Sequence, residues 1–240
     1  MTVTTKRALL AGLALVLSWA PALAQPKQTV DLLLVLAADV SRSINDSEFA
    51  LQRKGYASAM TDSRVVRAMK SGQYGRIAVT FVEWSDEQDV LIDWMIIDDH
   101  HSARQFAEQL ASKPRSFGGG TAIGSAIRFA AGLLANAPFV AERKVIDISG
   151  DGTSNCGWDV AGSRDMVLNK DGDLVINGLV IINDSPNVLS QEHTHPPGGL
   201  ENYYRSKVMG GAGAFVMVAN GFQTFGQSLA NKMIAVIAMR

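Results

Sequence analysis

The chain has 240 residues, with 22 basic and 23 acidic side chains, a formal net charge of −1, 47% apolar residues and one cysteine. That charge balance excludes the strongly basic surface of a nucleic-acid-binding protein, and a single cysteine excludes an internal disulfide, leaving packing to hold the fold. The apolar content at this length suffices for one domain with a full core.

At the start of the chain, Lys6 and Arg7 precede an apolar run from Ala8 to Ala20, followed by Pro21 and the small-residue pattern Ala22, Leu23, Ala24. The pattern predicts a secretory signal peptide over residues 1–24 with a cut before Gln25. The run is shorter than the roughly 20 apolar residues of a membrane span, and no cysteine follows it to accept a lipid. The expectation is an exported protein, periplasmic or secreted, whose remaining residues 25–240 form a single domain with no membrane span. Those 216 residues carry 20 basic and 23 acidic side chains, a formal charge of −3.

The next signal is a continuous apolar run from Val30 to Ala38 that ends in Asp39, Ser41 and Ser43. It predicts a fully buried strand delivering one carboxylate and two hydroxyls at its carboxyl end, where ligands bind in open α/β sheets. These are hard oxygen donors, suited to Mg²⁺ or Mn²⁺. Asn45 with Glu48 forms a capping-box signal, and Phe49, Arg53, Tyr56, Met60 and Met69 recur at helical spacing on the inner face of the helix it opens. Ser71 to Gly75 reads as a turn, and Arg76 to Trp84 as a second strand. A short break at Asp86 to Gln88 makes Val90 to Ile97 an antiparallel edge strand. Ser102 with Gln105 repeats the capping signal for a helix ending near Pro114, with His100 and His101 in the loop before it.

Gly118, Gly119 and Gly120 precede Thr121 and a helix carrying Ile123, Ile127 and Leu134. The run lacks the Lys-Ser/Thr ending of a phosphate-binding loop, so its glycines are read as letting the backbone approach an ion and present Thr121 to it. Lys144 to Ser149 is a fourth strand, and Gly150-Asp151-Gly152 brings out a second carboxylate at its end. Cys156 reads as a small residue in a turn or a reactive thiol. A short helix ends near Leu168, Leu174 to Ile182 is a fifth strand, and residues 183–199 form a long polar loop expected on the same rim as the site. Within it Glu192, His193 and His195 are transition-metal ligand types, but Pro196 and Pro197 are expected to prevent regular structure and no further ligand pattern appears. Tyr203, Tyr204 and Val208 suggest a short helix, Ala214 to Ala219 a sixth strand, and Phe222 to Ile237 a final helix.

Strands alternating with helices predict a three-layer α/β/α domain with a mostly parallel six-stranded central sheet and one antiparallel edge strand. In such a sheet Asp39, Ser41, Ser43, Thr121 and Asp151 leave three loops at one edge. Asp-Val-Ser-Arg-Ser at 39–43, Thr121 after a glycine-rich turn and Asp151 before Gly152 resemble the three-part metal-ion-dependent adhesion site of the von Willebrand factor type A (vWA) domain. Ser149 to Asn155 and Gly210 to Phe215 also resemble an exported bacterial branch of that family.

The resemblance implies that Ser41, Ser43 and Thr121 supply hydroxyl oxygens to Mg²⁺ or Mn²⁺, with Asp39 and Asp151 acting directly or through water. An ion with few direct carboxylates keeps an open position, which an acidic residue of a protein partner completes. A binding module rather than an enzyme is therefore expected. The alternative is a Mg²⁺-dependent hydrolase using the same site. Against the hydrolase, no second carboxylate follows Asp39 immediately, no pair is placed as nucleophile and base, and Arg42 reads as a solvent-facing rim residue.

Overall fold

The computed structural model describes residues 27–182 and 191–238. The predicted signal peptide, its cut before Gln25 and residues 183–190 of the long loop lie outside the described residues. In chain order the elements are β1 (Gln28–Thr29), β2 (Leu33–Asp39), α1 (Asp46–Thr61), α2 (Ser63–Lys70), β3 (Ile77–Trp84), β4 (Gln88–Ile97), α3 (His100–Ser112), α4 (Ile123–Ala135), β5 (Phe139–Val140), β6 (Lys144–Gly150), α5 (Val160–Lys170) and β7 (Leu174–Ile182). Then come α6 (Gln191–Thr194), α7 (Leu200–Tyr203), one π-helical turn (Tyr204–Val208), β8 (Val216–Asn220) and α8 (Phe225–Ala238).

All seven residues of β2 and all eight of β3 are buried, as expected of strands covered on both faces. The sheet runs in the order β4-β3-β2-β6-β7-β8. Every neighbouring pair is parallel except β3 with β4, so the fold is the expected three-layer, mostly parallel one. Alternation along β2 divides the core. Leu34, Leu36 and Ala38 pack with residues of α1, α2, α3 and α8 on one face, and Leu33, Val35 and Ala37 with residues of α4 and α5 on the other. Since β2 is flanked by β3 on one side and β6 on the other, the strand order reverses there, and Asp39 and Asp151 leave the sheet on the two sides of that reversal.

Several local expectations shift. The apolar periodicity predicts one helix through Met69, but Asp62 breaks it: extended there (φ −60°, ψ 125°), it ends α1 and caps α2 through its side chain. The cap of α3 is Asp99, and Ser102 is its third residue, completing a reciprocal capping box. His100 and His101 are therefore the first helical residues, and both are exposed. The first long strand begins at Leu33 rather than Val30, because Val30 donates to Val140 O beside the small β1–β5 pair that the sequence reading lacks. The sixth strand and the last helix begin two and three residues late, at Val216 and Phe225.

Candidate metal centre

The segment after β2 is folded back by its own side chains. Ser41 N donates to Asp39 Oδ1 (2.7 Å), Ser41 Oγ lies 3.0 Å from Ser43 Oγ, and Ser43 Oγ donates to Asp151 Oδ1 (2.6 Å). Four of the five predicted residues thus form one hydrogen-bonded chain from β2 to the turn after β6. Gln52 of α1 donates to Asp39 O (3.0 Å) and fixes the strand end from beneath. Arg115, which the sequence reading passes over, straps the loop from outside. Its guanidinium donates to the carbonyls of Val40, Ser41 (2.7 Å), Ile44 (3.0 Å) and Phe117 (3.1 Å).

The glycine turn supplies the third segment. Arg42 N donates to Gly119 O (3.0 Å), which ties this turn to the first loop, and a Cβ on Gly119 would overlap Asp86 Oδ1 of the turn between β3 and β4. Thr121 is then held by Asn155, whose side-chain oxygen accepts from Thr121 N (2.8 Å) and whose own N donates to Thr121 O (2.9 Å). Asn155 and Ser154, the latter donating to Thr121 O (2.9 Å), tie the turn after Asp151 to the Thr121 segment.

Asp39 and Asp151 are fully buried, and Ser41 and Thr121 nearly so. Burial pushes the Asp39 carboxyl up to about 8, and the charge of Asp151 adds to the effect. Asp39 Oδ2 and the Tyr204 hydroxyl have no hydrogen-bond partner among the described residues, and both crowd the same side of Gly150. Burial, then the charges of Asp39 and Asp151, hold the Tyr204 phenol well above its usual range. Two carboxylates and three hydroxyls on fixed loops are a hard-oxygen set that fits a small divalent cation, which would relieve the carboxylate repulsion. Among the described residues no three His, Cys, Asp or Glu side chains cluster as metal ligands, and hydroxyls make up most of this donor set.

Of the other predicted residues, Arg42 and Cys156 are exposed. His193 is not the loose loop residue that its prolines suggest. Its Nε2 lies 3.2 Å from Thr121 Oγ1 and its Nδ1 3.2 Å from Thr153 Oγ1. Burial pushes this imidazole below its ordinary value. Trp158, exposed on the same rim, lies under the Arg128 guanidinium (4.3 Å to the ring centroid).

A family model described as "Protein of unknown function (DUF1194)" matches residues 29–240. No curated protein matches the chain by sequence. Among solved structures, proximal thread matrix protein 1 from the mussel byssus superposes with a TM-score of 0.60 at 18% identity, over 87% of this chain and 47% of that one. A further structure of that protein, described as having a zinc-occupied MIDAS motif, gives 0.56 at 15% identity over 88% and 49%. The open conformation of the pilus adhesin SpaC from Lactobacillus rhamnosus GG gives 0.59 at 15% identity over 88% and 31%. A von Willebrand factor type A structure from Catenulispora acidiphila gives 0.54 at 14% over 87% and 43%. The chain spans less than half the length of each of these. It belongs to the DUF1194 family, and its fold is that of a von Willebrand factor type A domain.

Proposed function

We propose that the protein is an exported binding module that captures a protein partner through a divalent cation, Mg²⁺ or Mn²⁺, held by Asp39, Ser41, Ser43, Thr121 and Asp151. The observation that carries the reading is the composition of the buried site: three loops bring three hydroxyls but only two carboxylates to one sheet edge. A cation bound there keeps residual positive charge, and an acidic side chain of the partner is the ligand that neutralises it. The adhesin and byssal matrix protein that share the fold support a role in adhesion, and the zinc-occupied motif of the mussel protein supports a divalent ion. The first residues, with their basic-apolar-small pattern, support export. Among the described residues no helix is long and apolar enough to cross a membrane.

Calorimetry should detect one divalent site, weakened at least tenfold by Asp39→Ala or by Thr121→Ala. Partner capture from an envelope extract should be lost with a chelator and with either variant. Capture that survives both would overturn the reading. Steady turnover of a phosphate ester that requires Mg²⁺ and Asp39 would replace it with the hydrolase alternative.

A further inference from the structure

Tyr204 is fully buried, and glycines on two neighbouring strands make room for it. A Cβ on Gly178 of β7 would press on its ring at Cδ1 (2.9 Å), and a Cβ on Gly150, the last residue of β6, would meet its hydroxyl (2.5 Å). That second Cβ would also meet Asp39 Oδ2 (2.9 Å), so the phenol and the carboxylate oxygen border the same point beside Gly150. Both atoms are buried, and neither has a hydrogen-bond partner among the described residues. The backbone that delivers the ring is also distinctive. Tyr204 opens the π-helical turn Tyr204–Val208, a rare form that frequently marks functional sites. Tyr203, one residue earlier, accepts from Ser154 N (3.1 Å) and ties this stretch to the segment after Asp151.

We propose that Tyr204 is a positioning residue of the metal centre, its hydroxyl donating to Asp39 Oδ2 when a cation is bound. The inference rests on the metal-centre reading above and adds to it the group that fixes the Asp39 carboxylate from the buried side. Asp39 Oδ1 already accepts from Ser41 N (2.7 Å). An ionised carboxylate away from water needs donors on its oxygens, and the Tyr204 hydroxyl is the unengaged donor beside Oδ2. A phenol suits the place because it offers a proton without a positive charge that would compete with the cation. The bond is absent from the structure and forms on cation binding.

The worth of this hydroxyl therefore depends on the ion. Without a cation it is an unpartnered buried donor, which destabilises the fold around it. With one it makes a charge-assisted hydrogen bond.

The test uses Tyr204→Phe, which keeps the ring and removes only the hydroxyl. Calorimetry should show its Mg²⁺ affinity lowered about tenfold, while its melting temperature in chelator equals or exceeds that of the parent. A role in packing alone predicts the reverse, a lower melting temperature in chelator with unchanged affinity. In protein labelled with ¹³Cζ-tyrosine, which has four such residues, one resonance that is absent in Tyr204→Phe should move downfield as Mg²⁺ is added. If Asp39→Ala abolishes Mg²⁺ binding but Tyr204→Phe binds as the parent does, melts lower in chelator, or reveals a resonance that stays put, the centre stands and the role of Tyr204 is overturned. If Asp39→Ala leaves Mg²⁺ binding intact, the centre itself is misplaced and this inference falls with it.

Discussion

The Arg115 guanidinium holds the carbonyls of Val40, Ser41 and Ile44, the backbone on which Ser41 and Ser43 ride. Charge-assisted bonds of this kind contribute more than neutral ones, and geometry at a metal site tolerates little play. Arg115→Met, which removes the donors together with the guanidinium that lies over Phe49, should weaken Mg²⁺ binding about tenfold with the far-UV circular dichroism unchanged. An unaltered calorimetric affinity would refute this. The five candidate donors could be nominated from the sequence because each sits in a short local pattern: a polar cluster after an apolar run, a threonine after glycines, an aspartate between glycines. Arg115, Tyr204 and the placement of His193 could not, since their contacts join residues more than seventy apart or cross from one layer to another. His193 was recognisable as a ligand type. Its neighbour Thr121 was not recognisable as its neighbour.

At the scale of elements, two buried ion pairs sit where strands meet helices on the face covered by α1 and α8. Arg53 of α1 pairs with Glu83 of β3, and Lys232 of α8 with Asp147 of β6. Burial raises the Asp147 carboxyl and lowers the Lys232 ammonium, and each partner's charge opposes the shift of the other. Removing one member of such a pair strands the other in an apolar layer. Lys232→Met should therefore cost about 3–5 kcal/mol in urea unfolding, and adding Asp147→Leu should recover most of it. A single variant as stable as the parent would show that the pair is dispensable.

The sequence reading does not anticipate these pairs, because Lys232 lies among Ala230, Met233 and Val236 on the inward face of α8 and periodicity alone cannot say that a lysine turns inward. The strand order beyond simple alternation was similarly legible only in outline. Apolar runs and capping residues located β2, β3, β6 and β7, whereas the break at Asp62 was masked by an apolar face that continues unbroken from Tyr56 to Met69.

For the whole molecule, the raised Asp39 carboxyl makes stability depend on pH, and a cation at the proposed centre would change that dependence. Metal-free, the folded protein keeps a proton on Asp39 that the unfolded chain releases above its ordinary value of 3.8. The unfolded state then binds fewer protons, so stability falls as pH rises from about 4 to about 8, by up to about 1.4 kcal/mol per pH unit for one group. A cation at the proposed centre would replace that proton and remove the dependence. Chelated protein should melt progressively lower from pH 5 to pH 8 and Mg²⁺-saturated protein should not, while Asp39→Asn should flatten the chelated curve. Parallel curves with and without Mg²⁺ would contradict the account.

The bond from Ser43 to Asp151 spans 108 residues of a chain whose one cysteine, Cys156, is free. A cation gripping both ends would act as a dissociable cross-link, closing a loop of the size for which a disulfide contributes about 4–5 kcal/mol. Unlike a disulfide, its hold would rise and fall with the ion concentration outside the protein, by about 2.7 kcal/mol at one hundred times the dissociation constant. The lifetime of such a protein against proteolysis would then be a measure of its ionic surroundings.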